Sequence, residues 1–266
     1  MSSFPLIAVD IGNSRTKLGL FAALPTPGEL PVPSTTLELV GSDWTTAALH
    51  SWLATLSPET LAPATWHIAS VNRTAAQRLD AALEELCPSA TRKKLALLDL
   101  PLAVNVLSPE RVGIDRLLGA VAANHVRRPD HAAVVLHVGT AITANLVTPD
   151  GAFAGGAILP GIGLSAQALH DHTDLLPRID MAELAEAPPV VGAATEPAIR
   201  SGLFWGAVGA MRELAARLSA AGNPRSSRTH IFLTGGAAPS VAHLLGPDVQ
   251  HEPHLVLAGI ALAANR

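Results

Sequence analysis

The chain has no tyrosine, one cysteine and only 3% aromatic residues. Each scarcity removes something. A lone Cys87 rules out an internal disulfide and a cysteine-built zinc site, and its place at the end of a helix-like stretch just before Pro88 marks it as a packing residue. Without tyrosine, no ligand is held by a phenol ring and its hydroxyl acting together. Charge is equally sparse: 15% of residues, with a formal net charge of -4, which leaves no broad basic surface for nucleic acid. The apolar residues come in short runs broken by proline, glycine or charge, and none approaches the roughly 20 that a membrane span requires. Residues 1–5 lack the basic stretch, apolar core and cleavage site of a secretory leader, so the expected location is the cytoplasm, with no membrane partner. What is present is a 48% hydrophobic content over 266 residues, enough to fill a sizeable core in one large domain or two.

Two segments share one form. Leu6 to Ile11 is an apolar strand carrying Asp10 into the turn Gly12-Asn13-Ser14, with Lys17 to Phe21 as the return strand. Val134 to Val138 runs in the same way through His137 into Gly139-Thr140-Ala141, with Ile142 to Thr148 returning. Asp10 corresponds to His137 and Gly12 to Gly139, each pair 127 residues apart and so close to half the chain. A tandem duplication of one α/β unit accounts for this. The first half is then completed by a strand over 66–71, an amphipathic helix over 74–86, a short strand over 95–98 and a helix from about Asp115 to His125. In the second half, Pro149-Asp150-Gly151 is a hairpin turn between strands 142–148 and 153–158. Pro160-Gly161 ends that strand before a helix over 164–169. A long helix over 198–218, a buried strand over 230–233, a turn at Gly235-Gly236 and a helix over 240–245 follow. No low-complexity linker separates the halves, and 185–189 is the most loop-like stretch of the second.

The first hairpin suits phosphate chemistry for a definite reason. Gly12 lets the backbone come close to a phosphate, Asn13 and Ser14 supply donors, Lys17 adds positive charge, and Asp10 can hold Mg²⁺ through water. An ordinary hairpin with a polar turn has the same residues. The second, Gly139 and Thr140, adds N–H groups and a hydroxyl that can face the first across a cleft, and two matched loops favour the phosphate reading. Gly113-Ile114-Asp115-Arg116 sets a carboxylate and a guanidinium at a helix start. There Asp115 is either the N-cap or, in a phosphotransfer cleft, the base that takes a proton from an attacking hydroxyl while Arg116 offers charge to the moving phosphoryl group. Gly155 to Gly161 places glycines where backbone passes close to a neighbouring strand or a ligand. Thr234-Gly235-Gly236 ends a strand in a turn that suits an adenosine or a plain strand-to-helix connection. The run His170-Asp171-His172-Thr173-Asp174 has metal-binding residue types, but neighbours along one helix or loop point in different directions, so it is not read as a metal site. Trp44, Trp52, Trp66 and Trp205 have no motif spacing and are read as packing residues.

Taken together, these blocks resemble the type III pantothenate kinases, also called the Bvg accessory factor family. The matching residues are Asp10 to Ser14 with Lys17, Pro109 to Arg116, Gly139 to Ala141 with Thr143, Gly155 to Gly161, Leu176-Pro177, Gly192 with Thr195 and Ser201-Gly202, and Thr234 to Gly236. They follow the family's order over nearly the whole chain. The resemblance implies an α/β fold of two ribonuclease-H-like lobes of the actin, Hsp70 and sugar-kinase superfamily. Residues 1–116 would carry the first phosphate loop, and 117–266 the second loop with the substrate and dimer contacts. It also implies a homodimer that uses ATP to phosphorylate the primary hydroxyl of pantothenate, the first step towards coenzyme A, with Mg²⁺ and a monovalent cation, potassium or ammonium.

Residue by residue, Asp10 would organise Mg²⁺, and Gly12, Asn13, Ser14, Lys17, Gly139, Thr140 and Gly235 would contact ATP. Asp115 would be the base, Gly113, Ile114 and Arg116 would sit at the substrate, and Thr195 of the partner subunit would reach pantothenate. Three positions depart from the family pattern: His137 stands where the second loop has Asp, Asn145 where the return strand often has Asp, and Val106 where a Tyr lines the pantothenate pocket. A metal role at His137 would therefore be that of a replaced carboxylate, and losing both carboxylates weakens a cation held there. The departures leave two alternatives beside the pantothenate kinase. One is a family member that binds nucleotide, or regulates, without turnover. The other is a kinase with a different hydroxylated acceptor.

Overall fold

Strand β1 (Leu6–Ile11) is buried at five of its six positions, as expected of a central strand covered on both faces. The computed structural model describes residues 4–23, 28–41, 44–179, 186–222 and 229–265. Two compact units divide the chain: residues 1–126 with 254–266, and residues 127–253.

In the first unit β1 lies between β2 (Arg15–Phe21), antiparallel to it, and β4 (Thr65–Ser70), parallel to it. Outside these lie β3 (Thr35–Val40), antiparallel to β2, and β5 (Arg92–Lys94), parallel to β4, giving the order β3-β2-β1-β4-β5. Alternation along β1 sends Ile7, Val9 and Ile11 to one face, where they cluster with Leu18, Trp66 and Ile68, with Leu49 and Trp52 of α1 (Thr46–Leu53), and with Leu79 and Leu83 of α3 (Arg73–Leu86). Helix α3 starts where Asn72 Oδ1 accepts the Ala75 N–H at 3.0 Å. It stops at Cys87, before Pro88, and Cys87 packs half-buried against this core, as its position implied. A short helix, α2 (Pro58–Leu61), links α1 to β4.

The opposite face of this sheet is covered by α4 (Ile114–Val126) and α8 (Leu255–Ala263). Eight of the nine residues of α8 are buried, so it is apolar all round. The lobe boundary expected after Arg116 falls inside α4, whose whole length belongs to the first unit, and the chain end returns to that unit as α8.

The second unit repeats the plan. Strand β6 (Ala132–Val138) is antiparallel to β7 (Ala141–Val147), which is antiparallel to β8 (Phe153–Pro160). On its other side β6 is parallel to β9 (Thr229–Thr234), and β9 to β10 (Val249–His251). The order β10-β9-β6-β7-β8 is that of the first sheet with β6 in the place of β1, as a duplicated unit requires. Its core joins Val134, Leu136, Ile142 and Leu146 to Ile162 of α5 (Ile162–Asp171) and to Phe204, Val208 and Met211 of α6 (Thr195–Gly222).

Two expectations are corrected. The strand placed over 95–98 lies instead at β5, three residues earlier, and Leu97–Asp99 is a 3-10 turn. The apolar run was the misleading signal, because β5 is an edge strand and edges carry charge, here Arg92, Lys93 and Lys94. The helix over 240–245 is divided into α7 (Ala238–Val241) and a 3-10 turn, Ala242–Leu244. Of the loop at 185–189, residues 186–189 are neither helix nor strand, and Ala185 lies outside the described residues. Trp44, Trp52 and Trp66 are buried as packing residues.

Candidate active site

The first unit brings Asp10, Lys17 and Asp115 together. Asp10 is paired in register with Lys17 across the first hairpin and with Ala69 of β4. By strand alternation its side chain leaves the sheet on the α4 side. Helix α4 begins at Ile114, so Asp115 lies within its first turn, past the cap position that offered the plainer explanation of this residue. Its carboxylate folds back over Gly113: a Cβ at Gly113 would come 2.6 Å from Asp115 Oδ1, so only glycine leaves the carboxylate where it is.

Burial pushes the Asp10 carboxyl up to about 7; the charge of Asp115 adds to the rise and Lys17 offsets part of it. Burial likewise pulls the Arg116 guanidinium below its ordinary value, against the opposing effect of Asp115. Asp115 thus acts on both its neighbour in sequence and the Asp10 carboxyl on the sheet face beneath α4. A carboxyl disfavoured by burial and by a second carboxylate is one that a divalent cation stabilises. Asp10 therefore fits Mg²⁺, which binds through one or two carboxylates and keeps much of its water. Among the described residues no group of three or more His, Cys, Asp or Glu side chains is arranged to hold a metal ion.

The tip of this hairpin is closed by the Gly12 N–H donating to the Arg15 carbonyl at 2.9 Å and by the Gly41 N–H donating to the Ser14 carbonyl at 2.9 Å. Asn13 and Ser14 are exposed there, while Gly12 and Lys17 are half-buried. The neighbouring cation Arg15 is engaged with Glu38 of β3. A pocket beside the tip is lined by Gly12, Asn13, Trp44, Asn72 and Arg78, with the Arg78 guanidinium 5.1 Å from the Trp44 ring centroid. Sequence reasoning missed this wall. Trp44, Asn72 and Arg78 come from separate segments, and no spacing joins them.

In the second unit, the β6–β7 hairpin closes with the Gly139 N–H donating to the Ala141 carbonyl at 3.0 Å, and Thr140 is exposed at its tip. His137 is paired with Thr143 and Thr234. Gly235 has φ +106, and a Cβ on it would lie 2.7 Å from His137 Cδ2 and 2.4 Å from the Val138 carbonyl oxygen. The Thr234-Gly235 turn therefore sits on the end of β6, with the imidazole against it. The glycine-rich segment serves two purposes. Gly156 passes over the neighbouring strand, 1.9 Å between its would-be Cβ and the Ala144 oxygen. Gly161 instead lies on the hairpin tip, its N–H donating to the Thr140 carbonyl at 2.9 Å. Thr195 is exposed as the first residue of α6.

A family model described as type III pantothenate kinase matches residues 6–217. A type III pantothenate kinase of Rhodopirellula baltica is 33% identical over 271 residues, covering 94% of this chain and 95% of that protein. One of Chlorobaculum parvum is 31% identical over 271 residues, covering 98% and 94%. A third, of Acidiphilium cryptum, is 40% identical over 172 residues, a match that spans 61% of that protein. Among solved structures, a candidate Baf family transcriptional activator of Campylobacter jejuni superposes with a TM-score of 0.56 at 17% identity, covering 96% of this chain and 94% of that one. The activator of the 2-hydroxyisocaproyl-CoA dehydratase of Clostridium difficile, with bound ADPNP, gives 0.50 at 13%, covering 97% and 93%. These likenesses show that the chain shares the α/β fold of those two proteins. With a family model over most of its length and relatives matched nearly end to end, the chain belongs to the type III pantothenate kinase family.

Proposed function

We propose that this chain phosphorylates the primary hydroxyl of pantothenate with ATP, with Asp115 as the base. The observation that carries the reading is the placement of two carboxylates in the first unit: Asp10 on the α4 side of β1, at the end of a phosphate-type hairpin, and Asp115 in the first turn of α4. The hydroxyl oxygen attacks the γ-phosphorus, the bond to the β,γ-bridging oxygen breaks, ADP leaves, and the hydroxyl proton passes to Asp115. Asn13, Ser14, Lys17, Gly139 and Thr140 hold the phosphates, and Gly12 and Gly235 let backbone approach the nucleotide. Asp10 would hold Mg²⁺, which when bound would spread the negative charge of the transferring phosphate. Gly113 and Ile114 shape the acceptor side, and Arg116 supplies positive charge to the moving group.

The family's homodimer fits the second unit, where Ile158, Leu164, Leu175, Val190 and Val191 are large apolar side chains left exposed. Ser201 Oγ donates to the Val190 carbonyl and Trp205 Nε1 to the Pro188 carbonyl, at 2.6 and 3.0 Å, which fixes part of that surface to α6. In such a dimer Thr195 of the partner subunit reaches pantothenate. Among the described residues no helix is long and apolar enough to cross a membrane, and we place the reaction in the cytoplasm.

The test is ADP release from ATP, Mg²⁺ and pantothenate, followed with a coupled assay. Turnover with pantothenate that disappears in Asp115→Asn supports the kinase. Turnover only with other alcohols would redirect the acceptor, consistent with Val106. His137 and Asn145, where the family has carboxylates, favour a second reading: a member that binds ATP without turning it over. ATP binding with no ADP release from any acceptor would establish it.

A further inference from the structure

The chain contains one hairpin twice, and the two copies differ in charge. Asp10 and His137 occupy the same place, the next-to-last residue of the central strand in sheets of the same order. Across the first hairpin Asp10 faces Lys17; across the second His137 faces Thr143. The first copy therefore offers a carboxylate to a cation, and the second offers an imidazole.

We infer that the second hairpin holds no monovalent cation and that the His137 ring stands in its place, so that nucleotide binding by this chain is independent of potassium and ammonium. The inference rests on the nucleotide-binding reading above. Its first support is space. A Cβ at Gly139 would lie 3.5 Å from His137 Nε2 and one at Gly235 would lie 2.7 Å from His137 Cδ2, so the ring is packed between the hairpin glycine and the glycine of the following turn. Its second is the donor set. On the same face of β6 and β7, Asn145 and Thr143 are 1% and 8% exposed, and Asn145 Nδ2 donates to Thr143 Oγ1 at 3.0 Å. These two neutral side chains are thus joined by one hydrogen bond, and neither brings a negative charge to the hairpin.

Alkali cations are held by oxygens, chiefly charged ones, whereas imidazole nitrogen suits transition metals. The residues of this hairpin, His137, Thr143 and Asn145, include no carboxylate. The cation that the family resemblance implied therefore does not fit the residues present, whereas a ring N–H in its position can serve as a fixed donor with no ion to recruit.

The experiment measures binding of a non-hydrolysable ATP analogue with Mg²⁺ by calorimetry, in potassium, ammonium and choline chloride at equal ionic strength. The inference predicts dissociation constants equal within about twofold across the three salts. In His137→Asp, which restores the carboxylate, potassium should tighten binding about tenfold over choline. A tenfold potassium effect on the unaltered chain overturns the inference, and that comparison needs no variant to fold. Absence of binding in every salt would instead sink the nucleotide reading. The melting temperature of the nucleotide-free protein then decides: equal values in potassium and choline uphold a cation-free hairpin, and a rise specific to potassium refutes it.

Discussion

Asp10 keeps its proton to about pH 7 because burial and Asp115 both oppose its charge. The consequence for stability has a definite sign. A carboxyl whose folded pKa is raised from 3.8 to about 7 stabilises the fold fully only below the unfolded value, and that contribution is lost as pH rises through about 7. Above pH 7, without metal, the ionised Asp10 weighs against the folded state. Asp10→Asn should therefore raise the melting temperature in metal-free buffer at pH 8 by several degrees, with a smaller gain at pH 5; no gain at pH 8 would contradict the burial argument. Mg²⁺ must displace the same proton, so its affinity should fall about tenfold per unit below pH 7, which a metal titration at pH 6 and 8 measures. Asp115→Asn removes the base and should lower turnover by about 100-fold or more while leaving ATP binding in place. These two carboxylates were legible in the sequence because each stands two residues from a glycine, in a block whose residue types have a chemical reason. The Trp44–Arg78 wall was not, since it exists only once α3 packs beside the first hairpin.

Helices α4 and α8 set how Asp115 is held. A Cβ at Gly259 in α8 would lie 2.1 Å from the Leu118 carbonyl oxygen of α4, so the two backbones touch there. Gly259→Val should cost about 2 to 4 kcal/mol of stability, read by denaturant unfolding, and should lower turnover because α4 carries Asp115 at its first turn. An unchanged midpoint would mean that the helices are free to move apart. At this scale the sequence was readable where a periodic pattern coincided with a stop signal, as in α3 between Asn72 and Pro88. It misled at β5, whose charged residues belong to an edge, and nothing in it assigned α8. Nine nearly all-apolar residues, buried all round, show neither the alternation of a strand nor the stripe of a surface helix.

For the whole molecule, the repeat was visible from two short blocks half a chain apart, and the strand orders of the two sheets bear it out. The division of the chain was harder to see. Residues 254–266 return to the first unit because α8 completes a face left uncovered by its own half, a long-range pairing that no local pattern encodes. The dimer proposal belongs here as well. Light scattering should give twice the 27.4 kDa of one chain, and Ile158→Asp should shift the protein to one copy and abolish pantothenate turnover. A single-copy protein with full activity would remove the partner's Thr195 from the acceptor site. Most directly, mass spectrometry of pantothenate after incubation with ATP and Mg²⁺ asks whether the chain performs the transfer at all. We predict that the unaltered protein adds one phosphoryl group to pantothenate and that Asp115→Asn forms product at least about 100-fold more slowly. Unmodified pantothenate with the unaltered protein, or equal product from both, would contradict the assignment of Asp115 as the base of a pantothenate kinase.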